Sequence, residues 1–172
     1  MNEVLKALLS RRSCRAYSDR PVERAVLDEV LLAGSYAPSG MNRQSPIILA
    51  SSSPETVREL SRLNAEVMGW DKDPFYGAPT VVSVLADRRV RTWQEDGSLV
   101  IGNLLNAAHA LGLAGCWIHR AREVFDSARG RELLRGWGVG EEYVGVGHCI
   151  LGYPKEELPE APPRKEGYIR YV

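Results

Sequence analysis

Residues 95–118 read EDGSLVIGNLLNAAHALGLAGCWI, and the way this stretch folds decides how the rest of the chain is arranged. Its leucines and isoleucine fall on nearly every side of a helix, with Gly97, Gly102, Ala107, Ala108 and Ala110 among them. A helix of that kind is buried on more than one side. In a chain of 172 residues this predicts a helix over 95–111 packed against its own core and against a second subunit. Asn103, Asn106 and His109 interrupt the run, which therefore lacks the ~20 apolar residues of a membrane span. LAGCWI then reads as a short strand.

Upstream, NEVLKALLSRR places Val4, Leu5, Leu8 and Leu9 at helical spacing. In RPVERAVLDEVLLAGSYAPSG, Pro21 reads as a first-turn residue and Gly34 and Pro38 as the stop. PIILAS reads as a buried strand, and Ser53-Pro54 as the capped start of a helix running to Met68. GAPTVVSVLAD is the best strand in the chain. Downstream, REVFDSARGRELLRGWG reads as one amphipathic helix and EYVGVGHCILGYP as a strand. The tail from 154 to 172 is rich in proline and charge, an extended arm ending in a strand-like YIRYV. There are no repeats and no linker, so residues 1–172 form a single domain. Strands alternating with helices give a sandwich of sheet and helices.

The chain is 44% hydrophobic and 26% charged, neither disordered nor membrane-like, with Lys+Arg and Asp+Glu both 22. No global basic field gathers nucleic acid. Against that balance RRSCRAY, residues 11–17, sets Arg11, Arg12 and Arg15 side by side. They either stand in water or face a small anion, and guanidiniums with Ser13 suit a phosphate. Neither GxxxxGK[ST] nor a strand–helix GxGxxG is present. Cys14, Cys116 and Cys149 are odd in number and widely spaced, and MNEVLKALLSRR has no long apolar core, so a reducing cytoplasm is expected. Cys116-x-x-His119 and His148-Cys149 do not read as a metal site, because adjacent residues of a strand point to opposite faces. Cys14, Trp70, Trp93 and Trp137 read as packing residues, and His109 as a hydrogen-bonded interior histidine.

RRSCRAY, APSGMNRQS (37–45), GAPTVVSVLAD, EDGSLVIGNLLNAAHALGLAGCWI, LGYP and PPRKEGYIRYV occur in that order. Together they resemble the nitroreductase family of flavin mononucleotide (FMN) enzymes, from about residue 2 to the C-terminus. The resemblance implies an α+β fold with a mixed central β-sheet flanked by helices. It implies an intertwined homodimer with FMN at the interface and the 154–172 arm reaching the partner subunit. By position, Arg11 matches the phosphate-binding arginine, Arg12 a more variable neighbour, Ser13 a residue on the ribityl side, and Arg15 the basic residue beside the flavin N1 and C2 carbonyl. Pro38, Ser39, Gly40, Asn42 and Gln44 match a loop laid on the ring by the partner. Trp117, Ile118, His119 and Arg120 match the segment along the ring's N5 and N3 edge, and Arg164 with Lys165 a basic pair closing on the phosphate. Larger members carry an acidic residue followed by glycine where this chain has His119 and Arg120.

The implied activity is hydride transfer from NADH or NADPH to a small electron-poor acceptor such as a nitroaromatic or quinone, by a ping-pong mechanism. No side-chain acid is required and no metal, because the cofactor carries the chemistry; Arg15 would stabilise charge on the reduced ring. The alternative is a flavin-binding storage or regulatory protein without rapid turnover.

Overall fold

Apolar periodicity switches between helix and strand along the chain, and the computed structural model, which describes residues 1–172, follows it closely. The elements are α1 (Glu3–Ser10), α2 (Arg24–Ser35), a 3-10 turn (Gly40–Asn42), β1 (Pro46–Ser51), α3 (Pro54–Met68), β2 (Thr80–Asp87), α4 (Trp93–Ala110), β3 (Ala114–Ile118), α5 (Ala121–Asp126), α6 (Ala128–Gly136) and β4 (Tyr143–Gly152). The strands form one sheet in the order β1-β2-β4-β3. All three pairings are antiparallel, and the one parallel contact is an isolated bridge between Ser13 and Gly115. The fold is α+β as expected, with the mixed character of the sheet reduced to that bridge.

The two central strands are buried on both faces, so their side chains alternate between two cores. Val81 and Leu85 of β2 enter one core with Leu60 of α3 and Val124 and Phe125 of α5. Val82 and Val84 enter the other with Val30 of α2 and Val100 and Leu104 of α4. A bulge between Val84 and Leu85 shifts the register against β4. His148 and Cys149 take opposite faces: His148 lies between Phe75 and Phe125, while Cys149 joins the α2–α4 core. No group of His, Cys, Asp or Glu side chains is placed to hold a metal ion.

Three readings need correction. Pro21 does not open α2, which starts at Arg24 after Glu23. Val22 is drawn into the core, while the Glu23 carboxylate accepts from Tyr153 and pairs with Arg20, so the entry to the helix is held by side chains. The single amphipathic helix after residue 121 is two, because Ser127 ends α5 by donating to the Val124 carbonyl (2.7 Å) and caps α6 by accepting from Gly130 N–H (3.0 Å). YIRYV is not a strand: beyond Lys155 only Leu158 packs on the core, and the rest of the tail is exposed and forms no strand.

Tryptophan packing is also less complete than expected, since Trp70 and Trp137 are exposed. More telling are the large apolar side chains left in water. Helix α1 buries nothing: Val4, Leu5, Leu8 and Leu9 are all exposed, Leu9 by 60%. Leu32 and Tyr36 at the end of α2, Leu99 on α4 and Tyr168, Ile169 and Tyr171 of the tail are exposed too. No helix is long and apolar enough to cross a membrane.

Candidate active site

Arg11 is the residue on which α1 ends, and from there the chain runs extended to Tyr17. It is pinned at each step: Cys14 N–H donates to Gly115 O (3.1 Å), Tyr17 bridges Pro154, and Lys155 N–H donates to Ala16 O (3.0 Å). The Cys14 side chain is buried, as expected, and donates to Ala16 O. The alternation of an extended chain then turns Ser13 and Arg15 outward, and both are exposed.

None of Arg11, Arg12 and Arg15 is in an ion pair. Arg12 folds back to donate to the carbonyls of Leu9 (2.7 Å) and Arg11, which leaves its Nε buried and without a partner. His109, in the last turn of α4, shares a hydrogen bond with Ser10 (2.7 Å). Burial, then the positive charges of Arg11 and Arg12, push its pKa below the ordinary histidine value. Cys116 lies behind the cluster: burial raises its thiol pKa, and the Arg15 charge works in the opposite direction. The cluster is thus a concentration of positive charge with no anion of its own.

Beside it runs β3, an edge strand whose only neighbour in the sheet is β4. Since Gly115 turns its carbonyl away from β4 to meet Cys14, Trp117 two residues on presents its backbone groups to the same open side. The Trp117 ring is half exposed and lies across Gly147, where a Cβ would sit 2.5 Å from the indole nitrogen. Ile118 turns inward and is buried, so only its backbone reaches the edge. Asn64, wholly buried on α3, donates to the carbonyl of His119 (2.9 Å) and holds the turn that follows. Arg120 has φ 77°, left-handed backbone that costs about 1–2 kcal/mol for a residue with a Cβ. Larger family members are expected to have glycine there.

The loop carrying Pro38, Ser39, Gly40, Asn42 and Gln44 stands elsewhere. Met41, Asn42 and Gln44 all have φ near 50°, three left-handed residues within four positions. Gln44 N–H donates to Ser39 Oγ (3.0 Å) and its side chain to Asn42 Oδ1 (3.2 Å), while Met41 is 87% exposed. Beneath the loop is a residue that sequence reasoning missed. Asp96, 2% exposed in the first turn of α4, accepts from Gly40 N–H (2.8 Å), Ser45 Oγ (2.7 Å) and Thr92 Oγ1 (3.1 Å). Burial raises its pKa, but those three hydrogen bonds prevail and the carboxyl ends below its ordinary value. The only signal in the sequence was an acidic residue at the start of a helix, which the favourable dipole explains without any loop.

The two clusters therefore sit at opposite ends of α4. Asp96 and the loop are in its first turn, His109 and the arginines in its last, thirteen residues and about 20 Å of helix apart. Arg164 and Lys165 join neither: Arg164 donates to Pro162 O (2.8 Å), and Lys165 lies over the Tyr168 ring. A cavity of about 1020 Å³ between α3, residues 70–80 and residues 19–22 is lined by none of them. A smaller one of about 280 Å³ touches Pro38, Ser39 and Gln44.

The model of the nitroreductase family matches residues 8–70. An Archaeoglobus fulgidus protein, described by inference as an NADH dehydrogenase/NAD(P)H nitroreductase, is 31% identical over 91% of this chain and 88% of its own length. The FMN reductase [NAD(P)H] of Bacillus subtilis is 25% identical over 94% of this chain and 70% of its own. Among solved structures, a Bacteroides fragilis nitroreductase with bound FMN is similar over the whole of both chains, with 31% identity and a TM-score of 0.91. A second FMN-bound nitroreductase, from Desulfitobacterium hafniense, is similar at 27% identity and a TM-score of 0.88, over 100% of this chain and 99% of its own. The chain belongs to the nitroreductase family.

Proposed function

We propose that the protein is an FMN-dependent NAD(P)H oxidoreductase that works as a homodimer and passes hydride to a small electron-poor acceptor, a nitroaromatic or quinone. One observation carries this reading: three arginines without a carboxylate partner line an open strand edge, and one of them keeps a buried, unpaired nitrogen. A dianionic phosphate ester fits that set. Arg11 would hold the phosphate, Ser13 would meet the ribityl side, Arg15 would face the ring's N1 and C2 carbonyl, and the Trp117 backbone would meet its edge. FMN, when bound, supplies hydride acceptance and donation. The chain's own part is to bind, to orient and to place positive charge where negative charge develops.

The separation along α4 supports the homodimer. A ligand on the arginines lies an α4 length from its own chain's loop, so the loop that covers it comes from a second copy. The exposed apolar residues of α1, α2, α4 and the tail are what such a partner would cover. Arg164 and Lys165, which form no ion pair in their own chain, would then reach the phosphate of the other.

If donor and acceptor use one open ring face in turn, initial-rate plots at several acceptor concentrations are parallel lines. The first test is the spectrum of the purified protein, expected yellow with about one FMN per chain. A colourless protein that takes up no added FMN overturns the proposal. Flavin reduction slower than about once per minute under saturating NADH and NADPH would instead mark a storage protein, since enzymes commonly turn over at ~1–1000 per second.

A further inference from the structure

Asp96 is buried, ionised and far from the arginines, and two of the three hydrogen bonds it accepts, from Gly40 and Ser45, fasten one loop, while the third comes from Thr92 at the start of its own helix. That loop is the least relaxed part of the backbone, with Met41, Asn42 and Gln44 all left-handed. Such conformations persist where the surroundings over-determine them. Two features do so here. The Asp96 carboxylate takes the Gly40 N–H and the Ser45 hydroxyl from the two ends of the strained segment. Gly40 also packs so closely on Thr92 that no Cβ fits between them. The residues held in this way, Met41 to Gln44, have their side chains in water, and their side-chain hydrogen bonds stay within the loop, from Gln44 N–H to Ser39 and from the Gln44 side chain to Asn42.

We infer that Asp96 is a positioning residue for the flavin: it holds its own chain's loop in the shape that the ring on the partner's arginines requires. This rests on the flavin-binding dimer proposed above. Asp96 touches no ligand. It acts by tying helix to loop within its own chain, and because that loop lies on the partner's ring, its effect falls on the ring end of the partner's site and leaves the phosphate end alone. Ionised, it accepts from all three donors at once. An asparagine of the same shape exchanges these charge-assisted bonds for weaker neutral ones, and where its N–H₂ donates to the Ser45 and Thr92 hydroxyls their own protons lose their acceptor, which loosens the hold on the loop.

The test uses the full chain, stripped of flavin, as wild type, Asp96→Asn, Ser45→Ala and Arg11→Ala. FMN and riboflavin are titrated into each, and trypsin cleavage after the exposed Arg43 is timed against cleavage elsewhere. Asp96→Asn should weaken FMN and riboflavin equally, by about tenfold or more, and speed cleavage at Arg43 alone. Arg11→Ala should weaken FMN and leave riboflavin unchanged. Mixed dimers of Asp96→Asn with Arg11→Ala chains should regain one site of wild-type affinity, because one site takes both lesions and the other takes neither.

Wild-type affinity in Asp96→Asn, a loss confined to FMN, or faster cleavage at every site overturns the inference while leaving the flavin reading intact. Absence of any recovered site in the mixed dimers also overturns it, because the loop would then serve its own chain. Failure of wild type to bind either flavin removes the flavin reading itself. If Asp96→Asn does not fold, Ser45→Ala decides: it should show a loss of about threefold for both flavins, and unchanged affinity for both refutes the role.

Discussion

Arg11 and Arg15 lie four positions apart on an extended segment, and the reading gives them different work. Arg11 holds a phosphate whatever the redox state, so Arg11→Ala should weaken FMN binding by roughly 10- to 100-fold, the loss of a charge-assisted hydrogen bond. Arg15 faces charge that appears on reduction, so Arg15→Ala should lower the flavin's potential and change affinity less. Potentiometric titration of both variants checks the division, and an unmoved potential in Arg15→Ala refutes it. His148 offers a prediction about pH. Burial between Phe75 and Phe125, with Ser83 as its one hydrogen-bond partner, holds its pKa at about 3 and leaves Nε2 without a partner. Between that value and the ordinary 6.5, the unfolded chain binds a proton that the folded chain does not. Stability therefore falls as pH drops below 6.5, by up to about 1.4 kcal/mol per pH unit from this group. His148→Leu should flatten the dependence of the urea midpoint on pH between 6.5 and 4.5. A slope identical to wild type would show that His148 takes no part in it.

At the scale of elements, β3 works because β4 beside it is thin. Gly147 lets the Trp117 indole lie against the strand, with Ile101 of α4 behind. Gly147→Ala places a methyl group 2.5 Å from the indole nitrogen and 2.8 Å from Ile101 Cδ1. The ring must swing outward, at a cost of about 1–3 kcal/mol. Thermal denaturation should register that cost, and tryptophan emission should shift toward that of a solvated indole. An unchanged melting temperature would mean that the strand yields without strain. The elements themselves were largely readable, since PIILAS, TVVSVLAD and AGCWI are strands where their β-branched and apolar runs end. The break at Ser127 was readable in principle, because a serine three residues before a glycine can cap, but the apolar period runs through it. Only the need for Gly130 to pack on the Val124 carbonyl separates α5 from α6.

For the whole molecule, the exposed leucines of α1 and the aromatic tail predict an obligate dimer. Light scattering should find no FMN-loaded monomer, and removing residues after Glu160 should loosen both dimer and flavin. A truncated chain that dimerises and binds FMN like wild type would show that the arm is dispensable. The order of elements and the arginine segment were legible in one dimension, whereas PIILAS, which reads as a buried strand, is the half-buried edge strand β1. Periodicity and local charge depend on neighbours in the chain, and those the sequence states directly. What only the tertiary structure decided is distance. The loop and the arginines read as two parts of one site, yet folding sets them at opposite ends of an 18-residue helix. Asp96 reads as an ordinary helix-start acid until the chain returns from residue 40 to meet it, a contact spanning 56 positions. Contacts of that range depend on how layers stack, and stacking is set by the shapes of both cores together.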